Sequence, residues 1–514
     1  VNTLLCGIDV GTTGTKAVFF SLDGGQHGAG YADYSSRYSH PGWAEQYPEE
    51  WWTAVCKAIK LSFSQTHIEP ERIKGVAVCS QAPTLLPLDH AGRPVRPAIL
   101  WMDRRAEKEA IKLKELLGEN RITQVTGNRS DAFYLAAKLL WFVTNEKSLF
   151  CKTRKFVQAN GFINFKLTEK YCMDRVHTGL LQLMNWKTNQ WSKELFEACN
   201  VEPDFFPPIY PCTHIMGEVT ARAAEETGIP KGTPVMAGMP DGAAAALEAG
   251  AVKAGTAAEM TGTSTVLLMP HDGSVLEPAF ILIPHIIPGI YLSLGAMAAS
   301  GASLRWFRDQ FGMTEISAGL KLGLDPYNLL SAQASQILPG CEGVIFLPYM
   351  MGERSPLWHT NARGVFFGMS LATSRGAMIR AILEGVAFAL RHNVDVAEKA
   401  KIKIGEIRSV GGGARSSLWN QIKADILGLP VLVPRTNTGG AGGAAMVAGI
   451  GLGLFKNIDE ALGNMIQINT RFEPDKNNHR LYNELYRIFR DIYHNLREDF
   501  DRIAAVRERI GNKV

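Results

Sequence analysis

The sequence predicts an α/β architecture in at least two domains, and three observations predict it. One short Gly/Thr device occurs twice, about 250 residues apart. Short apolar runs of buried-strand type alternate with stretches of helical periodicity, the pattern of strands covered by helices. The 514 residues also exceed what a single hydrophobic core usually supports.

The first device is Gly7-Ile8-Asp9-Val10-Gly11-Thr12-Thr13-Gly14-Thr15-Lys16, a Gly/Thr turn between apolar runs. It reads as a β-hairpin whose tip presents backbone N–H groups and hydroxyls. Residues 33–47 are polar, aromatic and turn-rich, and Pro48 opens a helical pattern. Residues 73–79 and 97–101 read as short buried strands, and helical periodicity follows at 104–117 and 131–145. Four prolines at 203–211 break regular structure. A strand at 233–238 and an Ala-rich helix at 241–250 close the first half, so the sequence places one domain at 1–250 and another at 251–514.

The second half contains the second device, Glu259-Met260-Thr261-Gly262-Thr263-Ser264-Thr265, within a strand region at 257–268. Further strands are expected at 343–347 and 407–410. Helices are expected at 301–311, 374–399, 416–427, 440–451 and along the charged, aromatic stretch 481–508. That last stretch is expected to dock on its own core rather than on a second subunit.

Composition narrows the function. Apolar residues make up 46% and charged residues 20%, which excludes a disordered chain. A formal charge of +4 without basic runs interleaved with aromatics does not indicate a nucleic-acid surface. The eight cysteines are scattered without metal-ligand spacing and read as buried, reduced thiols of a cytoplasmic protein. No apolar run is long enough to span a bilayer.

Two hairpin tips of this kind suit phosphates, and two in one chain suggest related domains with one nucleotide between them. Asp9 ends the first strand just before the turn. A carboxylate beside bound phosphates needs an intervening Mg²⁺, whereas an isolated Asp-X-Gly-Thr is more simply an Asp that closes its turn. The second hairpin shifts the preference to the functional reading. Asp241 follows a strand and begins a helix, so it reads either as an N-cap or as a general base at the domain junction. Trp101-Met102-Asp103-Arg104-Arg105 offers an aromatic plate beside mixed charges. It suits a polyhydroxylated ligand as well as it suits core, cap and solvated first-turn residues. Gly411-Gly412-Gly413-Ala414-Arg415-Ser416 joins a strand to a helix and allows a backbone to approach a ligand, a weak signal by itself. No histidine has the spacing of a metal site or a hydrolytic triad, and none is assigned to catalysis.

Taken together these segments resemble the FGGY carbohydrate kinases of the sugar kinase/Hsp70/actin superfamily, from about Leu4 to Phe455. Specific stretches also include Pro41-Gly42-Trp43-Ala44-Glu45-Gln46, Gly352-Glu353-Arg354-Ser355-Pro356 and Asn361-Ala362-Arg363-Gly364. The resemblance implies two ribonuclease-H-like domains around a nucleotide cleft, with ATP as phosphoryl donor and Mg²⁺ as cofactor. It implies Asp241 as catalytic base and Asp9 as the carboxylate on the metal side. Thr12, Thr13, Gly262 and Thr263 fall on the phosphate turns, and Gly301, Arg305, Gly412 and Ser416 on the nucleotide. Gln81, Ala82, Trp101 and Asp103 fall, with Asp241, on the sugar side.

Within the family, residues 41–46 and 347–367 look most like xylulose kinases, so the expected acceptor is a pentulose such as xylulose. Two positions depart from that pattern: Ala82-Pro83 stands where Met-His is typical, and Gly242 where Asn is typical. Both changes remove side-chain contacts from the sugar side, leaving ribulose, gluconate, glycerol and erythritol as alternatives. A non-catalytic ATP-binding relative is a further alternative, disfavoured by residues 101–105 and 352–356. A sugar-responsive regulator is disfavoured because no helix-turn-helix precedes the first hairpin. A homodimer is common in relatives of this kind.

Overall fold

The computed structural model describes residues 3–65 and 68–511, and the chain divides into two compact units. The first takes the chain up to Val252 together with Asp272–Leu292 and Thr436–Gln467. The second takes Lys253–His271, Ser293–Arg435 and the residues from Ile468 onward. Two later segments thus pack with the first unit, which a single cut near residue 250 leaves out. The reason lies in the helix Ala441–Gly451, which carries no charged residue and is buried from Ala441 through Gly449. Such a helix needs apolar cover on every side, and it finds that cover in the first unit.

The first unit is built on a sheet in which Ile215–Glu218, Pro234–Met236, Ile73–Ser80, Leu4–Val10, Gly14–Ser21 and Gln26–Asp33 are neighbours in that order. Leu4–Val10 runs antiparallel to Gly14–Ser21 and parallel to Ile73–Ser80. The period-two alternation of the first strand separates two layers. Leu4, Cys6, Ile8 and Val10 join Trp51, Val55 and Ile59 of the helix Pro48–Ser64 in one core. Gly7 lies against the start of Ala441–Gly451, where a Cβ would meet the Ala441 carbonyl oxygen at 1.8 Å. Glycine at this position is what lets helix and strand close up.

A second core in the same unit is helical. It gathers Leu113 from Glu107–Leu117, Ile122 and Val125 from Glu119–Thr126, Leu139 and Phe142 from Leu135–Asn145, and Leu195 and Phe196 from Lys193–Cys199. Sequence periodicity located the first and third of these helices but extended both too far toward their N-termini. Residues 104–106 and 131–134 are instead held by side-chain bonds to Asp103 and Asp131 that compete with helix.

The second unit repeats the plan. Thr265–His271, Gly255–Thr261, Ile404–Val410, Val431–Pro434 and Ile468–Phe472 are neighbours in that order. The first strand of the hairpin is again the one that pairs in parallel with a later strand. The long helix Arg375–Lys399 is capped by Ser374, and Ser417–Leu427 by Ser416. The C-terminal helix Lys476–Gly511 packs on its own unit, as expected. Tyr482 donates to Glu384 at 2.6 Å and accepts from Arg380 at 3.1 Å, while Tyr486 and Phe489 pack on Phe388.

Among the described residues no helix is long and apolar enough to cross a membrane. All eight cysteines are free. Six are buried, Cys56 is half-buried and Cys151 is exposed just after the short helix Lys147–Phe150.

Candidate active site

In the first unit, three neighbouring chain segments deliver polar residues to one edge of the sheet. Asp9 pairs in register with Lys16 on one side and Cys79 on the other, and Met239–Pro240 pairs with Cys79 and Ser80. The chain leaves these strands into Gly11-Thr12-Thr13, Gln81 and Asp241. Ligands of α/β sheets gather at such carboxyl ends of parallel strands.

Asp9 points to the face shared with Gly7, away from the Trp51 core. Burial raises its carboxyl well above the usual range, and the Asp241 charge raises it further, against the pull of Lys16 and the Cys79 thiol 3.6 Å away. Asp241 is the first residue of the helix Asp241–Ala249, with Pro240 as N-cap. It does not cap: its Oδ1 accepts the Gly242 amide at 2.7 Å, and no hydrogen bond reaches its Oδ2 among the described residues. Burial pushes Asp241 up to about 6, with the Gly242 amide and His177 pulling it down. Such a group, ionised near neutral pH with one oxygen free, suits proton acceptance.

The hairpin tip is held from several directions. Gly11 N–H donates to Gly14 O at 3.0 Å, Tyr34 OH to Gly11 O at 2.5 Å and Gln46 Nε2 to Thr12 O at 2.6 Å. Trp101 Nε1 donates to Thr12 Oγ1 at 3.1 Å, tying the aromatic plate to the turn. Gln81 is buried, and its Nε2 donates to Gln46 Oε1 at 2.8 Å. Its own Oε1 is buried without a partner. Ala82 follows it, joined to Pro83 by a cis peptide.

Asp103 has no exposure at all. Its oxygens accept the Ala44 amide at 2.5 Å and the Arg105 backbone and guanidinium at 2.7 to 2.9 Å. Arg105 is equally buried, pairs with Glu45 as well, and lies 3.7 Å over the Trp43 ring. Asp103 and Arg105 thus brace the Trp101 turn from beneath, and neither is the cap or solvated residue that a bland reading allowed. Lys138, also fully buried, donates to Phe133 O and Trp101 O and is pushed down to about 7 by burial.

Sequence reading missed several residues here. Glu248 accepts the amides of Thr438, Gly440 and Gly442 and the Thr438 hydroxyl. It thereby places negative charge at the amino end of Ala441–Gly451. Gln46 links Trp51, Ser36, Thr12 and Gln81. Gln46 stands in the quoted 41–46 stretch without a role given to it, and most partners of the two residues, Trp51 and Ser36 apart, lie tens to hundreds of residues away.

In the second unit, the hairpin tip sits on the start of the helix Gly301–Phe311. Gly262 N–H donates to Ser264 O at 2.8 Å, and Ser300, Gly301 and Ala302 amides donate to Thr263 O and Gly262 O at 3.0 to 3.1 Å. Arg305 Nη2 donates to Thr263 Oγ1 at 2.8 Å. A Cβ on Gly301 would meet Gly262 O at 2.2 Å, whereas one on Gly262 would meet nothing within 4 Å. The first glycine serves packing, and the second leaves the tip open to a ligand. Beneath the tip, Glu259 accepts from Lys423 Nζ at 2.8 Å, from Ser409 at 2.6 Å and from Thr261. This is a fully buried charged pair with its hydrogen bonds satisfied.

The glycine triplet divides in the same way. Cβ atoms at Gly411 and Gly413 would each stand 2.6 Å from Thr261, so these two glycines let the loop pack on the hairpin strand. Only Gly412 faces open space, its nearest neighbour lying 3.9 Å away. Ser416 Oγ accepts the Trp419 amide at 3.2 Å as a helix cap. Glu353 is buried and pushed up to about 7 by burial, with its Oε1 accepting the Ala298 and Arg354 amides.

For Mg²⁺, the fitting donor set is oxygen from one or two carboxylates with the rest supplied by phosphates and water. Asp9, a carboxylate at the strand end beside the first turn, fits such a set. No group of three or more potential ligands occurs among the described residues.

The family model for the N-terminal domain of the FGGY family of carbohydrate kinases matches residues 4–248, and that for the C-terminal domain matches residues 257–452. The gluconokinase of Bacillus subtilis (strain 168) is 31% identical over 98% of this chain and 98% of its own length. The xylulose kinase of Escherichia coli (strain K12) is 31% identical over 95% of this chain and 98% of its own. The crystal structure of xylulose kinase from Rhodospirillum rubrum superposes with a TM-score of 0.87 at 30% identity, over 97% of this chain and 100% of that one. Two matched family models and full-length relatives agree with two hairpin-bearing α/β units: the chain belongs to the FGGY family of carbohydrate kinases.

Proposed function

We propose that this carbohydrate kinase transfers the terminal phosphoryl group of ATP to a hydroxyl of a pentulose such as xylulose. The observation that carries the reading is Asp241, a carboxylate with a free Oδ2 that ionises near pH 6 at the same sheet edge as Asp9 and the first hairpin. Asp241 accepts the proton of the attacking hydroxyl as the oxygen bonds to phosphorus. Thr12, Thr13 and Thr263 offer donors to the phosphate oxygens, where fixed donors stabilise spreading charge without reorganisation, and Gly262 leaves the second turn open to their approach. Asp9 would hold Mg²⁺ together with phosphate and water oxygens, and the ion would supply neutralisation of phosphate charge. Gln81 Oε1, buried and unpaired, receives a sugar hydroxyl, and Trp101 provides an apolar wall. Arg305, Gly301, Gly412 and Ser416 lie on the nucleotide side. Catalysis of this kind consists of positioning and electrostatics.

A sugar acid such as gluconate is the second reading. Ala82 and Gly242 favour it, since they strip the polar contacts typical of xylulose kinases, and so does the gluconokinase relative. The test is ADP release with Mg·ATP across xylulose, ribulose, gluconate, glycerol and erythritol. One strong responder that Asp241→Ala abolishes establishes the kinase and its acceptor. Gluconate in that place replaces the pentulose reading.

A further inference from the structure

His177 is a buried imidazole that the proposed reaction does not yet use. It follows the short strand Met173–Asp174 and has no solvent exposure. Asp174 holds it firmly: Oδ1 accepts the Val176 and His177 amides at 3.1 and 3.0 Å, and Oδ2 lies 2.5 Å from His177 Nδ1. Asn160 donates to the same Oδ2 at 3.0 Å and to Ala237 O at 3.2 Å, and Asn164 donates to Ala237 O at 2.9 Å. The ring is thereby anchored to the segment that leads through Met239–Pro240 into Asp241.

A carboxylate only accepts, so Nδ1 carries the hydrogen and Nε2 of the neutral ring carries a lone pair. That Nε2 is buried with no hydrogen-bond partner among the described residues. An unmet acceptor in the interior is costly, and one fixed by an orienting carboxylate marks a place where a donor is expected to bind. Through Asp174 and Asn160 the ring is tied to Ala237, four residues before Asp241. A purely structural histidine would satisfy Asp174 with Nδ1 and direct Nε2 to another protein group or to solvent.

We propose that His177 determines acceptor specificity, its Nε2 receiving a hydrogen bond from the substrate hydroxyl next to the one that faces Asp241. The assignment rests on the kinase reading above. It explains how a site with Ala82 and Gly242 still reads hydroxyl configuration, using a side chain from a different segment.

The test compares wild type with His177→Asn and His177→Gln. Asn preserves a donor to Asp174 and deletes Nε2, whereas Gln reaches the Nε2 position. ADP release is measured on the best acceptor of the panel and on its monodeoxy analogues, alongside KM for ATP and thermal midpoints. His177→Asn is expected to raise acceptor KM about tenfold with KM for ATP and the midpoint held, and His177→Gln to recover most of the loss. One deoxy analogue should be poor for wild type yet equal to its parent for His177→Asn. Acceptor KM within twofold of wild type, or equal discrimination among the analogues by both enzymes, overturns the assignment. If His177→Asn does not fold, His177→Gln with a wild-type midpoint and unaltered analogue preference overturns it as well. A wild type that binds ATP but turns over no acceptor sinks the kinase reading and this assignment with it, whereas a working kinase indifferent to His177 sinks this assignment alone.

Discussion

Replacing Asp241 by Asn removes the proposed base while keeping the shape and the Gly242 contact. The pH profile then tests the structure directly. With the carboxyl pushed up to about 6 by burial, only about a tenth is ionised at pH 5, and kcat/KM should stand about elevenfold below its plateau at that pH. An ordinary aspartate would leave pH 5 within about a tenth of the plateau. The Asn variant should lose about 10²- to 10⁴-fold in kcat, and its residual rate should lack the acid limb. Stability should move oppositely. A folded-state pKa above the ordinary value stabilises fully below about pH 4, and that contribution is lost as pH rises through about 6. Wild type therefore forfeits at most about 3 kcal/mol at neutral pH, and the Asn variant should melt higher above pH 7 with the gap closing below pH 4. Coupled ADP release and thermal melts between pH 4 and 8 read both effects. An acid limb near pH 4, the same limb in the Asn variant, or sugar-dependent turnover above a tenth of wild type would refute the assignment.

Gly301→Ala places a Cβ 2.2 Å from the Gly262 carbonyl oxygen, so the second hairpin must shift. KM for ATP should rise at least tenfold while Gly262→Ala, in open space, stays folded with a wild-type midpoint. Lys423→Met leaves Glu259 buried and unpaired and should cost about 3 to 5 kcal/mol; Lys423→Met with Glu259→Gln should recover much of the loss in a melting comparison. Arg105→Lys breaks the two-sided contact with Asp103 and the stacking on Trp43, and should lower the midpoint by several degrees. Arg104→Ala, whose partners Glu107 and Asp131 lie nearer the surface, should change it little. Equal effects at 104 and 105 would count against the bracing role.

How much of this was legible in the sequence depends on how far each signal reaches along the chain. The two hairpins were readable because turn and flanking strands are contiguous, Asp241–Ala249 and Gly301–Phe311 because their helical pattern is local, and Arg375–Lys399 and Ser417–Leu427 because helix period and serine cap lie within a few residues. The two-domain repeat was readable because the hairpin recurs. The discontinuous make-up of the first unit was not, since nothing local says that Ala441–Gly451 packs against Gly7. The same limit governs the site. Asp9 and Asp241 stand beside turn and helix signals, so sequence singles them out. Asp103 looked like a ligand residue because Trp-Met-Asp-Arg-Arg carries polar chemistry in one row, and only tertiary structure reveals that Ala44 and Arg105 saturate it. His177 was passed over for the converse reason. Its one local signal is an Asp three residues earlier, a spacing ordinary turns also produce, while its functional content is an Nε2 left unmatched when every neighbour has been placed. An unmatched acceptor is a property of the whole packed environment, so residues that read substrate in this way are the part of a site that sequence patterns show least.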